Sequence, residues 1–143
     1  MPIPAIDGSA EAQSFSDPPL LHKDSTMTPI LINNSFGADN LAKATVPFII
    51  GGAAAAKGRT AMFLTHEAIF LATKTGADGL QADGFKPVAD LVDAFVGNGG
   101  TLWVCKACAD AKGVTAGDLR QGAEIAGAGH VLGLIEDGGQ VLM

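Results

Sequence analysis

The sequence is poor in cysteine, with two residues of this type in a chain of 143. Two cysteines cannot build the disulfide framework that supports small secreted domains, so that class of protein is excluded. Cys105 and Cys108 are instead separated by two residues, a spacing typical of redox or sulfur chemistry in a reducing compartment. We therefore expect a cytoplasmic protein.

Clusters of basic residues are also absent from the sequence. Lysine and arginine total 9, against 15 aspartate and glutamate residues, and the formal net charge is −6. This balance excludes the basic footprint of a protein that binds nucleic acid directly. It also disfavours attachment to an anionic membrane surface.

The chain lacks a hydrophobic run long enough to cross a bilayer. Its longest apolar stretch, Val46 to Ala56, falls well short of the ~20 residues that a membrane-spanning helix needs. The first 26 residues contain neither a basic start nor a continuous apolar stretch. We thus expect no secretory signal peptide and no membrane partner.

What the sequence does contain is a high proportion of hydrophobic residues, 48%, with 17% charged. A chain of this length suits one domain, and the surplus of apolar residues predicts surfaces that close against other subunits. Residues 1–28 mix several prolines with Ser, Asp and Gly and show no periodicity. They predict a flexible N-terminal tail, followed by one folded domain over residues 29–143.

Short apolar runs alternate with amphipathic segments after this tail. The alternation predicts a parallel α/β sheet with helices on both faces. Ligands of such sheets bind outside the carboxyl ends of the strands, where we expect Cys105, His66 and the loop 33–37 to lie. The predicted strands are 29–34, 60–65, 101–104, 123–126 and 140–143, and the predicted helical segments are 41–57, 68–73, 87–96, 109–113, 119–121 and 127–135.

The most informative motif is Cys105-Lys106-Ala107-Cys108, at the predicted junction of a buried strand and a short helix. A thiol at such a junction faces the unpaired N–H groups of the helix, whose partial positive charge favours thiolate over thiol. Cys105 is therefore the candidate nucleophile and sulfur acceptor, against the alternative of a buried cysteine that only packs. Cys108 is either a resolving thiol or a packing residue in the first helical turn.

Two more residues complete the candidate catalytic site. His66 follows the second strand and could act as a base or pair with the thiolate, the alternative being an exposed residue at a helix start. Lys106 could stabilise an anionic sulfur by its charge, or be a solvated side chain. A structural zinc site would need four ligands, so His66 and His130 would have to join the two cysteines. We predict no metal and no organic cofactor.

Nearly all of the predicted domain resembles the DsrE/DsrF-like family, in four segments: residues 30–58, 60–65, 102–114 and 125–142. The third segment, which contains both cysteines, is the most specific. The resemblance implies a five-stranded, mainly parallel sheet between helices, a three-layer sandwich assembled as a homotrimer or hexamer. In the family's sulfur carriers, one cysteine at the end of a strand accepts a persulfide and hands it on, and Cys105 occupies the matching place. Cys108 stands where those carriers usually have a small apolar residue.

The motif and the resemblance together predict a sulfur carrier of the sulfurtransferase type. Cys105 would hold sulfane sulfur as a persulfide and pass it to an acceptor thiol, with Cys108 as the candidate resolving thiol. The partners would be proteins that donate and accept sulfur. Two alternatives stay open: a CxxC thiol–disulfide redox protein, and a non-catalytic oligomeric binding protein of the same family.

Overall fold

The structure, a computed structural model, describes residues 28–143. The predicted tail, residues 1–28, lies outside the described residues except for its last residue. None of the helices in the described part of the chain is long and apolar enough to cross a bilayer. The elements, in chain order, are β1 Ile30–Asn34, α1 Leu41–Lys57, β2 Thr60–Leu64, a 3₁₀ helix His66–Ala72, α2 Val88–Gly97, β3 Thr101–Cys105, α3 Lys106–Lys112, a second 3₁₀ helix Ala116–Asp118, β4 Ala123–Ala126, α4 Ala128–Glu136 and β5 Gln140–Leu142.

The strands of the described residues form one sheet in the order β4-β3-β2-β1-β5, and every neighbouring pair is parallel. The predicted five-stranded α/β fold is confirmed. The chain moves across the sheet in one direction from β1 through β2 and β3 to β4. Because each connection is right-handed, α1 and α2 lie together on one face of the sheet. The connection from β4 crosses back to β5 and carries α4 over the opposite face.

Each face of the sheet has its own apolar core, because side chains alternate along a strand. Met62 and Val104 belong to the larger core, where the rings of Phe48 and Phe95 meet edge to face with centroids 6.0 Å apart. The smaller core contains the buried residues Leu31, Ala61, Trp103, Ala126 and Leu134. Among residues 28–143, the helix that covers this second face is α4, which spans nine residues.

Helix α1 packs closely on the larger core because of its small residues. Asn40 begins the helix by accepting a hydrogen bond from the Lys43 amide at 3.2 Å. The helix continues through Pro47, which has no backbone N–H to donate to the Lys43 carbonyl one turn earlier. Since Lys43 lies on the exposed side of the helix, the carbonyl that lacks this donor is not in the core. Gly51 contacts the Phe95 ring, where an added Cβ would come within 3.1 Å of two ring carbons.

One predicted helical segment is wrong. Residues 119–121 are not helical; the 3₁₀ helix precedes them, and Leu119 pairs with Thr73 in an isolated antiparallel bridge. The reason is a capping interaction, in which the Thr115 amide donates to Asp118 Oδ2 at 2.8 Å and starts the turn earlier. This backbone hydrogen bond, with a second one from the Thr115 hydroxyl, lowers the pKa of Asp118.

Candidate functional site

The two cysteines lie where β3 runs directly into α3 without an intervening loop. Cys105 is both the last residue of β3 and the N-cap of α3, and Cys108 is the third residue of the helix. Both thiols are free and half-buried. Within the described residues, the Cys105 side chain makes no capping hydrogen bond to α3, so the expected contact between this thiol and the helix N–H groups is not formed.

Cys105 lies at an apolar cavity of about 660 Å³ on the face that carries α4. Phe63 of β2 and Val131 and Leu132 of α4 form much of its wall, while Lys106 lies at the cavity beside the cysteine. Cys105 faces this side because it follows the same alternation along β3 as Trp103 of the smaller core. A cavity of this size can admit a small molecule or an extended peptide segment.

Lys106 is paired with a carboxylate on its own helix. Its Nζ lies 2.8 Å from Asp110 Oδ2, one helical turn along α3, and both side chains are exposed. The hydrogen bond from Lys106 to Asp110, and then the charge of that carboxylate, raise the pKa of Lys106. The lysine is therefore a cation at neutral pH, with its charge largely shared with Asp110.

Cys108 has different neighbours, because it packs against the larger core on the other side of the motif. Its Sγ accepts a hydrogen bond from the backbone N–H of His66 at 3.3 Å. His66 adopts a φ of 51°, in the left-handed region that residues other than glycine seldom occupy. The imidazole Nδ1 lies 3.0 Å from Thr65 Oγ1. His66 thus contacts the cysteine through its backbone, and its ring is hydrogen bonded to Thr65.

An ion pair that sequence reasoning missed lies beside Cys108. Lys112 Nζ is 2.8 Å from Glu67 Oε2, which links the end of α3 to the 3₁₀ helix. The hydrogen bond to Glu67 and the charge of that carboxylate raise the pKa of Lys112, with smaller charge contributions from Cys108 and Asp39. The i, i+4 spacing of Cys108 and Lys112 is the one sequence signal that could have indicated this arrangement.

The structure thus brings Cys105 together with Lys106, and Cys108 together with His66. The loop 33–37 joins the second group, because Thr65 Oγ1 donates to Ser35 Oγ at 3.1 Å. His130 lies elsewhere: its ring packs against Trp103 with centroids 5.5 Å apart, and its Nδ1 accepts from the Gly127 amide. Among residues 28–143, no group of three or more His, Cys, Asp or Glu side chains could hold a metal ion.

Comparison with known proteins gives a family match over most of the chain. The family model described as DsrE/DsrF-like family matches residues 30–143. The chain is 30% identical over 100 residues to "Uncharacterized protein MJ0760" of Methanocaldococcus jannaschii, an alignment that covers 69% of this chain and 36% of that protein. The chain therefore spans about a third of the length of this curated relative.

Two solved structures share the fold. The ychN protein from E. coli matches with a TM-score of 0.61 and 15% identity, over 81% of this chain and 98% of that one. Protein MTH1491 of Methanobacterium thermoautotrophicum, titled a protein of unknown function, matches with a TM-score of 0.56 and 13% identity, over 85% of this chain and 97% of that one. At these identities the two structures bear on the fold alone.

Proposed function

Because this chain belongs to the DsrE/DsrF-like family, a family of the sulfur-relay type, we propose that it is a sulfur carrier. Cys105 holds sulfane sulfur as a persulfide and passes it to an acceptor thiol. The observation that supports this assignment is the position of Cys105 at the carboxyl end of an interior strand, beside an apolar cavity. Parallel sheets generally bind their ligands at this edge.

The transfer is a thiol–persulfide exchange. The Cys105 thiolate attacks the outer sulfur of a donor persulfide, the sulfur–sulfur bond of the donor breaks, and the donor leaves as a thiolate. In delivery, an acceptor thiolate attacks the outer sulfur of the Cys105 persulfide, the sulfur–sulfur bond on Cys105 breaks, and Cys105 leaves as a thiolate. Neither step needs an external oxidant or reductant, and neither needs an organic cofactor.

The cavity and its surroundings favour protein partners that donate and accept sulfur. Its wall is largely apolar, and its volume of about 660 Å³ suits a cysteine presented on an extended segment. Leu132, at the cavity, is 56% exposed, and Ile135 on the same helix is 41% exposed. We propose that this surface closes in a homotrimer or hexamer, and that the protein works in the reducing cytoplasm.

Donor loading followed by intact-mass measurement tests the carrier function. The wild-type protein and Cys108→Ser, incubated with inorganic polysulfide, are expected to gain about 32 Da per bound sulfur. Cys105→Ser is expected to gain nothing over the same period. Absence of any adduct on the wild-type protein, or an equal gain by Cys105→Ser, refutes the proposal.

A second candidate function, thiol–disulfide exchange, is favoured by the placement of the motif on α3. Redox-active CxxC pairs have their first cysteine at the start of a helix and the second three residues later. Cys105 and Cys108 have this arrangement on α3. Mild oxidation would then produce a reversible Cys105–Cys108 disulfide, with no sulfur adduct after donor loading. A third, a non-catalytic binding role, predicts slow and unselective alkylation of both thiols at neutral pH.

A further inference from the structure

The sulfur-carrier proposal leaves one group of residues without a role. The Cys108 thiol, the His66 backbone N–H and the Lys112–Glu67 ion pair lie together between α3 and the 3₁₀ helix. Cys108 lies one helical turn from Cys105 along α3. Their surroundings differ, however. Cys105 faces a largely apolar cavity whose lysine, Lys106, is paired with Asp110. Cys108 instead accepts a hydrogen bond from the His66 amide and lies near the Lys112–Glu67 ion pair.

The two sulfurs therefore have different polar partners. The described residues give the Cys105 side chain no capping hydrogen bond, and its cavity is lined largely by apolar side chains. Cys108 accepts the His66 amide hydrogen at 3.3 Å and interacts with the charge of Lys112. Burial of an anion in an apolar site is unfavourable, whereas donated N–H groups and cations stabilise it.

The donor and the cation are held in place by adjacent residues. His66 aims its N–H at Cys108 through a left-handed backbone conformation, with a φ of 51°. Glu67, the next residue, anchors the Lys112 ammonium at 2.8 Å. The other charged group that interacts with this lysine is Asp39, whose effect is the smallest of those acting on it. One short segment after β2 therefore provides both the amide that hydrogen bonds to Cys108 and the carboxylate that holds Lys112.

We propose that Cys108 is a second holding site for sulfane sulfur, with the His66 amide and Lys112 as its positioning groups. This inference rests on the proposed carrier function. The Cys108 thiolate attacks the outer sulfur of the Cys105 persulfide, the sulfur–sulfur bond on Cys105 breaks, and Cys105 leaves as a thiolate. The product is a Cys108 persulfide, and no net oxidation or reduction occurs. Cys105 is then free to accept sulfur again at the cavity.

The sequence itself provides a direct readout of this transfer. Trypsin cleaves after Lys106, so Cys105 and Cys108 fall in different peptides, with Cys108 in residues 107–112. The protein is given less than one equivalent of inorganic polysulfide, quenched with an alkylating agent at successive times, and mapped. Sulfur is expected first on the Cys105 peptide and later on the Cys108 peptide. In Cys105→Ser, Cys108 is expected to stay unloaded over the same times.

Variants at Lys112 test the proposed cation. Lys112→Met is expected to lower the ratio of sulfur on Cys108 to sulfur on Cys105 by about three- to fivefold, and Lys112→Arg to restore it. Lys57→Met, an exposed lysine at the end of α1, is the matched control and should leave the ratio unchanged. In Lys112→Met the peptide that carries Cys108 extends to residue 120 and stays separate from Cys105.

The two proposals fail in different ways. Sulfur that stays on the Cys105 peptide at all times overturns the second holding site and leaves the carrier function standing. A ratio that Lys112→Met does not change also overturns the second holding site. Equal loading of Cys105→Ser instead refutes the carrier function of Cys105. Sulfur on neither peptide refutes the carrier function itself.

Discussion

A substitution at Gly37 tests how the loop after β1 supports the 3₁₀ helix whose first residue, His66, contacts Cys108. A Cβ added at Gly37 would be in hard contact with the carbonyl oxygen of Glu67 and 2.9 Å from its carbonyl carbon. These are backbone atoms of the 3₁₀ helix, so no side-chain rotation relieves the overlap. Gly37→Ala must therefore displace either the loop or the helix that carries the His66 amide.

The expected cost follows from overpacking at a well-packed contact. Such substitutions lower the free energy of unfolding by about 1–3 kcal/mol. For a domain of this size, each kcal/mol changes Tm by about 4 °C, so Gly37→Ala is expected to lower Tm by about 4–12 °C. Because the His66 amide moves with Glu67, the alkylation rate of Cys108 should also change by more than about twofold. That of Cys105 should not.

Gly52 provides a matched control with the opposite sign. It lies within α1, and an added Cβ there meets nothing within 4 Å. Gly52→Ala removes a glycine from a helix interior and is expected to stabilise the protein by about 0.5–1 kcal/mol. Thermal unfolding followed by circular dichroism measures both variants. A Gly37→Ala protein as stable as the wild type, or a Gly52→Ala protein less stable than Gly37→Ala, refutes the reasoning.

Three further predictions address the oligomer, the capping box and the histidine. Leu132→Glu is expected to reduce the mass of the oligomer, measured by size-exclusion chromatography with light scattering. Gln121→Glu adds the same charge at another exposed position and should leave that mass unchanged. Equal masses for the wild type and Leu132→Glu contradict the proposed interface. Hydrogen bonds from Thr115 lower the pKa of Asp118 below its usual 3.8. The ionised carboxylate therefore stabilises the folded protein above pH 3.8, and this contribution is lost as the pH falls through the lowered pKa of Asp118. The Tm difference between wild type and Asp118→Asn should thus be larger at neutral pH than below about pH 3, and a constant difference would argue against this ionisation. His66→Gly keeps the backbone amide and suits the positive φ, so the alkylation rate of Cys108 should stay within about twofold of the wild-type rate. His66→Val should lower the free energy of unfolding by about 1–2 kcal/mol. A large loss of the Cys108 alkylation rate in His66→Gly would show that the imidazole matters.

Much of the fold could be predicted because its signals are local. Strands such as β1 and β3 are short apolar runs bounded by polar residues and glycine. The segment 119–121 was mispredicted because the Thr115–Asp118 capping box, three residues apart, was a stronger signal than the residues that follow it.

The candidate site was less accessible to sequence reasoning. The Cys105 to Cys108 spacing could be read directly, and so could the place of Cys105 at the end of a strand. The contact between the His66 amide and Cys108, and the pairing of Glu67 with Lys112, depend on how β2 and β3 align side by side in the sheet. Residues 42 or more apart in sequence meet there, and no local pattern records such a pairing.

The direct passage from β3 into α3 has a mechanical consequence. Cys105 is in register with Ala126 of β4, and the residue before it is in register with Leu64 of β2. The backbone at Cys105 cannot move outward without breaking the hydrogen bonds on which these registers depend, so any movement of the sulfur is limited to rotation of its side chain. The backbone of Cys105 is thus fixed at the end of the sheet, and a donor or acceptor protein has to bring its own sulfur to this position.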